Sequence, residues 1–179
     1  MSNIFTGIGS RLIDSKHINL LYKIACLLEQ DGWKCRTGDA SGSDSVFRDA
    51  YISNPKNIYV FSARAVQLDL YTTANRAREI MYKYHPNPKA VSYSKFSEYL
   101  LTRDVYQVLG PSLKEPSKIV ICYTSNGELK GGTAMAIRIA NAYGIPVLNI
   151  GNPKHYNAVS DYINNNVFLE RFNKAFKDK

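Results

Sequence analysis

The sequence has no long hydrophobic run, few cysteines and histidines, and no block of like charge. Each absence removes a class of protein. No apolar stretch approaches the roughly 18 residues that mark a membrane-crossing helix, so no transmembrane span is expected. The first residues, Met1-Ser2-Asn3-Ile4-Phe5-Thr6-Gly7, carry neither a basic head nor a long apolar segment, so no secretory leader is expected there. Cys26, Cys35 and Cys122 are odd in number and form no C-x-x-C pair, which argues against a disulfide framework. In a reducing cytoplasm each behaves as a small hydrophobe. His17, His85 and His155 read as isolated, without a carboxylate or cysteine at ligand spacing, so no metal site is expected. The G-x-G-x-x-G fingerprint is missing too: Gly7-x-Gly9 lacks the third glycine, and no P-loop lysine is present. Conventional dinucleotide and ATP binding are weakened accordingly, and no cofactor is expected.

What is present suits one soluble, cytoplasmic domain. The 179 residues are 45% hydrophobic and 21% charged, an ordinary globular balance that argues against disorder. A chain of this size can bury roughly 70% of its unfolded surface without staples. Residues 1–179 are therefore expected to form a single domain, with a core over about 4–150 and a helical segment over 151–179. Lys and Arg number 23 against 15 acids, a net charge of +8, which favours anionic partners. The cations are dispersed. Arg64, Arg76, Arg78 and Lys83 scatter through the middle, and Lys174, Lys177 and Lys179 read as a solvated helix end.

Strand and helix signals alternate along the chain. Strands are expected at Ile4–Thr6, Trp33–Thr37, Asn57–Phe61, Lys118–Tyr123 and Pro146–Ile150. Helices are expected at His17–Gln30, Asp44–Tyr51, Tyr71–Tyr84, Phe96–Leu109 and Thr133–Tyr143. That alternation implies right-handed crossovers and an α/β, Rossmann-like parallel sheet of about five strands, order near 3-2-1-4-5, with helices on both faces. In such a sheet strands 2, 1 and 4 are neighbours, and their carboxyl ends define the ligand crevice.

Three turns follow those strands: Gly7-Ile8-Gly9-Ser10-Arg11, Gly38-Asp39-Ala40-Ser41-Gly42-Ser43-Asp44, and Gly131-Gly132-Thr133 at a helix start. Small residues let backbone N–H groups approach an anion, and a helix N-terminus favours phosphate. Arg11 adds a bidentate donor. Taken singly, each turn is ordinary punctuation; together on adjacent strand ends they predict a phosphate site.

The same residues carry a resemblance. Gly9-Ser10-Arg11, the Gly38–Asp44 turn, Leu101-Thr102-Arg103-Asp104, and Gly131-Gly132-Thr133-Ala134-Met135-Ala136 with Gly144-Ile145-Pro146-Val147 resemble the Rossmann core of the DNA-processing protein A (DprA/Smf) family. That core belongs to the superfamily shared with the LOG (Lonely Guy) nucleotide hydrolases, and the resemblance points to its short, single-domain bacteriophage members. In the DprA branch it implies a homodimer that binds single-stranded DNA. In the LOG branch it implies hydrolysis of the N-glycosidic bond of a nucleoside 5′-monophosphate. A third reading is a non-catalytic protein that senses or sequesters a signalling nucleotide.

Ala136 stands where LOG enzymes carry an acid, and Arg103-Asp104-Val105 where DprA proteins carry Arg-Asn-Arg, which leans the reading toward binding. The expected partner is a nucleotide or single-stranded DNA. Its contacts are expected from Gly7, Gly9, Ser10, Arg11, Gly38, Ser41, Gly42, Ser43, Asp44, Arg103, Gly131, Gly132 and Thr133. Asp44 and Asp104 are the acids available to any catalysis. Asp44 and Thr133 also read as ordinary helix caps. Tyr71, Tyr82, Tyr84 and Tyr93 read as core aromatics, with stacking on bases the alternative, and Phe61–Ser94 as a possible lid over the crevice.

Overall fold

The computed structural model describes residues 3–92 and 94–177. The chain runs β1 (Ile4–Gly9), α1 (Ser15–Gln30), β2 (Lys34–Gly38), α2 (Ser43–Ala50), β3 (Ile58–Phe61), α3 (Ala63–Gln67), α4 (Ala74–Tyr84), α5 (Pro88–Ser92) and α6 (Lys95–Leu109). It continues through β4 (Ile119–Tyr123), α7 (Thr133–Ala142), β5 (Val147–Asn149), α8 (Pro153–Asn164) and α9 (Phe168–Phe176). The five strands form one sheet in the order β3-β2-β1-β4-β5, every pair parallel. This is the α/β, Rossmann-like arrangement that the alternation of signals predicts. Among the described residues no helix is long and apolar enough to cross a membrane.

The period of two along the strands divides the core between the two faces. On β4, Ile119, Ile121 and Tyr123 face α1, α2, α8 and α9, while Val120 and Cys122 face α4, α6 and α7. The first face is dominated by large apolar and aromatic side chains. Trp33 is fully buried there, with Phe172 edge-on at 5.1 Å, so α9 closes over the same core as α1. Gly7 belongs to this packing. A Cβ on it would lie 2.6 Å from the Phe47 ring, so its lack of a side chain lets α2 press against β1.

Several expectations need correction. His17 is not isolated: Asp14 caps α1 by accepting the His17 N–H at 3.1 Å, and its carboxylate also contacts Nδ1 at 2.7 Å. The region 71–84 starts its helix only at Ala74, and α3 and α5 are additional short helices. Ser62 explains α3, since its hydroxyl accepts the Ala65 N–H.

Three of the tyrosines pack against the core, as their first reading expects. Tyr71 lies 4.3 Å from the Tyr106 ring, Tyr82 donates to Glu98 at 2.5 Å, and Tyr84 meets Tyr143 edge-on. These rings are taken up by packing, and Tyr93 lies outside the described residues. The lid is corrected as well. Val66, Ala77, Ile80 and Met81 anchor α3 and α4 in the core, and no described residue of 61–94 lines the crevice at the strand ends.

Candidate nucleotide site

The carboxyl ends of β1, β2 and β4 open into a cleft of about 620 Å³. Gly9, Ser10, Arg11 and Leu12 after β1 form one edge. Asp44 of α2 and Leu100, Leu101, Arg103, Asp104 and Gln107 of α6 form the floor and inner wall. Thr124, Ser125, Glu128, Lys130, Gly131, Gly132 and Thr133 close the third side. All three turns therefore reach one cavity. Gly7, Gly38, Ser41, Gly42 and Ser43 do not line it.

The first two turns are tied to each other. Ser43 donates to the Ser10 carbonyl through both its N–H (3.1 Å) and its hydroxyl (3.0 Å), and Ser10 N–H donates to the Tyr123 carbonyl at 2.9 Å. The loop before Arg11 is thus anchored on α2 and β4, while Arg11 itself is exposed. On the third side Gly132, not Thr133, is the N-cap of α7, and no side chain caps it. Its first N–H groups remain available, with the positive end of the helix dipole behind them. Lys130 lies beside them, paired with Glu128.

The floor is built differently. Arg103 is 9% exposed and faces three carboxylates: Nη1 donates to Asp39 at 2.9 Å and lies 3.9 Å from Asp44, and Nη2 donates to Asp104 at 3.3 Å. Its Nε is buried and has no hydrogen-bond partner among the described residues. Gln107, one turn after Arg103, completes the set. With its amide oriented to suit its neighbours, the nitrogen donates to Asp104 at 2.9 Å and the oxygen accepts the Gly38 N–H at 2.6 Å. A Cβ on Gly38 would run into the Asp44 carboxylate, so the glycine is what admits this cluster.

Asp44 is not a helix cap, since Gly42 occupies that position; its carboxylate instead accepts the Ala40 N–H and turns to Arg103. Burial pushes the Asp44 carboxyl up to about 6, against the pull of Arg103 and the Ala40 N–H. Burial likewise pushes Asp104 up to about 7, opposed by Arg103 and reinforced by Asp44. Burial thus makes both carboxyls hold a proton more readily than a free aspartate does. Ala136 is buried among the apolar residues of the core and offers no acid to the cleft. Among the described residues no group of three or more His, Cys, Asp and Glu is arranged to hold a metal ion.

Sequence reasoning held Asp39 and Leu101 within its motifs without giving either a contact, and it overlooked Gln107, Lys130, Leu12 and Leu100. Gln107 had a signal, because positions i and i+4 of a helix share a face. Asp39 had none, since its partner is 64 residues away.

With the geometry in place, comparison with solved structures finds DNA processing protein A from Helicobacter pylori, described for its unique single-stranded DNA binding mode. The match has a TM-score of 0.53 and 16% sequence identity, and it covers 92% of this chain and 82% of that chain. The two share a fold. No family model matches this sequence, and no curated protein matches it.

Proposed function

We propose that this chain is a DprA-like binder of single-stranded DNA or of a nucleotide, which takes a phosphate between Arg11 and the start of α7. The observation that carries the reading is the meeting of an exposed arginine with an uncapped helix N-terminus in one cleft at the sheet's carboxyl end. Those are the donors an anion requires. The net charge of +8 supports a polyanion, and so does the shared fold with a protein described as binding single-stranded DNA.

Salt titration tests the reading. Binding along a DNA backbone should weaken with a slope of about −0.7 per phosphate neutralised in a plot of log affinity against log salt. Oligonucleotides that bind no more tightly than a mononucleotide, with a flat salt response, would remove the DNA reading and leave the nucleotide.

A second reading is favoured by one observation, the buried Asp44 and Asp104 with raised carboxyl affinities for protons. In a nucleotide N-glycosidase, water adds to C1′ of the sugar as the bond to the base breaks. One protonated acid would give its proton to the leaving base, and the other, ionised, would take one from the water. Incubation with nucleoside 5′-monophosphates and chromatography for free base decides this. Release that Asp104→Asn abolishes would establish hydrolysis; no release from any of them would leave binding.

A further inference from the structure

We propose that the slot between β5, α8 and α9 is a docking site for an acidic peptide bearing an aliphatic or aromatic anchor. The slot holds about 460 Å³ and shares no lining residue with the cleft. Leu148 of β5, Tyr162 of α8 and Phe168, Phe172 and Phe176 of α9 form its apolar lining, and Arg171 and Lys174 complete it. Ligand pockets commonly occupy about 300–1,000 Å³, so the space suits one or two side chains of a partner.

The charge at this slot is what names the partner. Arg171 and Lys174 are both exposed, and among the described residues neither has a carboxylate within ion-pair distance. Lys177, in the next turn, is committed to Asp31 at 2.9 Å. The Arg171 guanidinium lies over the Tyr162 ring at 4.9 Å, which holds the cation at the slot. Two cations with no counter-charge among the described residues, beside an apolar lining, complement an anionic chain that also inserts an apolar side chain. A second copy placed symmetrically on this surface would set the same cations against each other. Nucleic acid would satisfy the cations, but Phe168 and Phe172 are only 4% and 5% exposed and present little ring face for a base, whereas the half-buried Leu148, Tyr162 and Phe176 leave apolar edges that a small anchor can cover. An extended peptide also finds β5 with a strand on one side only, the arrangement that strand addition uses.

Fluorescence anisotropy with the whole chain tests this. The probe is a labelled peptide of Asp and Glu residues around one Leu and one Phe, with two controls: the acids replaced by Gln, or the Leu and Phe replaced by Ser. The acidic anchored peptide should bind about 10-fold more tightly than either control, and more weakly as salt rises. The double variant Arg171→Glu, Lys174→Glu should lose about 10-fold of that affinity, read at a temperature where its thermal melt shows the chain folded. Nuclear magnetic resonance should place the perturbation at Leu148 and Phe176. Equal binding of the Gln control, indifference to charge reversal, or an oligonucleotide perturbing those residues where the peptide does not would each overturn the proposal.

Discussion

Of the two walls of the cleft, the one made by Gly9–Arg11 and Gly131–Thr133 leaves the Arg11 guanidinium and the first α7 amides open, whereas the one made by Asp44, Arg103, Asp104 and Gln107 bonds its polar groups to one another. Arg11, Gly131 and Gly132 are exposed; Arg103, Asp44 and Asp104 are at most 9% exposed. Two arginines in one cavity thus have different work. Arg11 keeps its donors for a ligand. Arg103 uses Nη1 and Nη2 on Asp39 and Asp104, so it organises the floor. Solvent makes the difference: an exposed cation loses little by waiting for an anion, while a buried one is stable only when its counter-charges are built in.

Removing the organising cation tests that contrast most severely. Arg103→Ala leaves the buried Asp44 and Asp104 without their counter-charge and frees the exposed Asp39, and the expected loss is about 3–5 kcal/mol in urea unfolding at pH 7.5. The loss should shrink at pH 5, where Asp44 and Asp104 take up protons. Arg103→Lys should restore only part of it, because an ammonium cannot reach in two directions as the guanidinium does. A loss under about 1 kcal/mol would mean that the floor does not depend on this charge, and the two walls would no longer differ in kind.

The open wall should respond in the opposite way. Arg11→Ala is expected to leave the unfolding curve where it was, because the side chain is exposed and outside the core. Affinity for a phosphate-bearing ligand should fall by about 1.5–3 kcal/mol, the worth of one charge-assisted contact, read by calorimetric titration. Unchanged affinity would remove Arg11 from the site. A large drop in stability would show that it is structural, like Arg103.

The open wall was legible in the sequence and the closed wall was only half so. Gly9-Ser10-Arg11 and Gly131-Gly132-Thr133 are local signals: short runs of small residues between a strand and a helix, whose meaning follows once the strand order is inferred. The sheet was readable for the same reason, since the apolar run Ile119–Tyr123 and the shorter strand signals alternate with helical spacing and turns. The floor depends instead on contacts distant in sequence. Arg103 reaches Asp39 across 64 positions, and Gly38 matters because α6 brings Gln107 and Arg103 to it. The caps expected at Asp44 and Thr133 failed on tertiary grounds as well. Asp44 is drawn to Arg103, and the cap position of α7 falls one residue before Thr133, at a glycine that leaves the amides open.

The smallest effect tests the acid side of the closed wall. An aspartate in an unfolded chain titrates near about 3.9, whereas burial holds Asp104 at about 7 in the fold. Between those values the folded chain binds more protons than the unfolded one. Its stability therefore falls as pH rises through that window and stays reduced above it.

Asp104→Asn removes the penalty while keeping a carbonyl to accept from Arg103 Nη2 and from Gln107. Asp39 and Asp44 remain as counter-charges to the guanidinium. The variant should thus be more stable than the parent by about 1–2 kcal/mol at pH 8, less than the full shift implies because Asp44 and Asp104 titrate as a pair. At pH 4.5 the gain should be close to nothing, since the parent's Asp104 is then already protonated. Urea curves at the two pH values measure it. A variant that loses stability at pH 8 would show that Arg103 needs this third carboxylate, making the wall a balanced ion cluster rather than one carrying surplus negative charge.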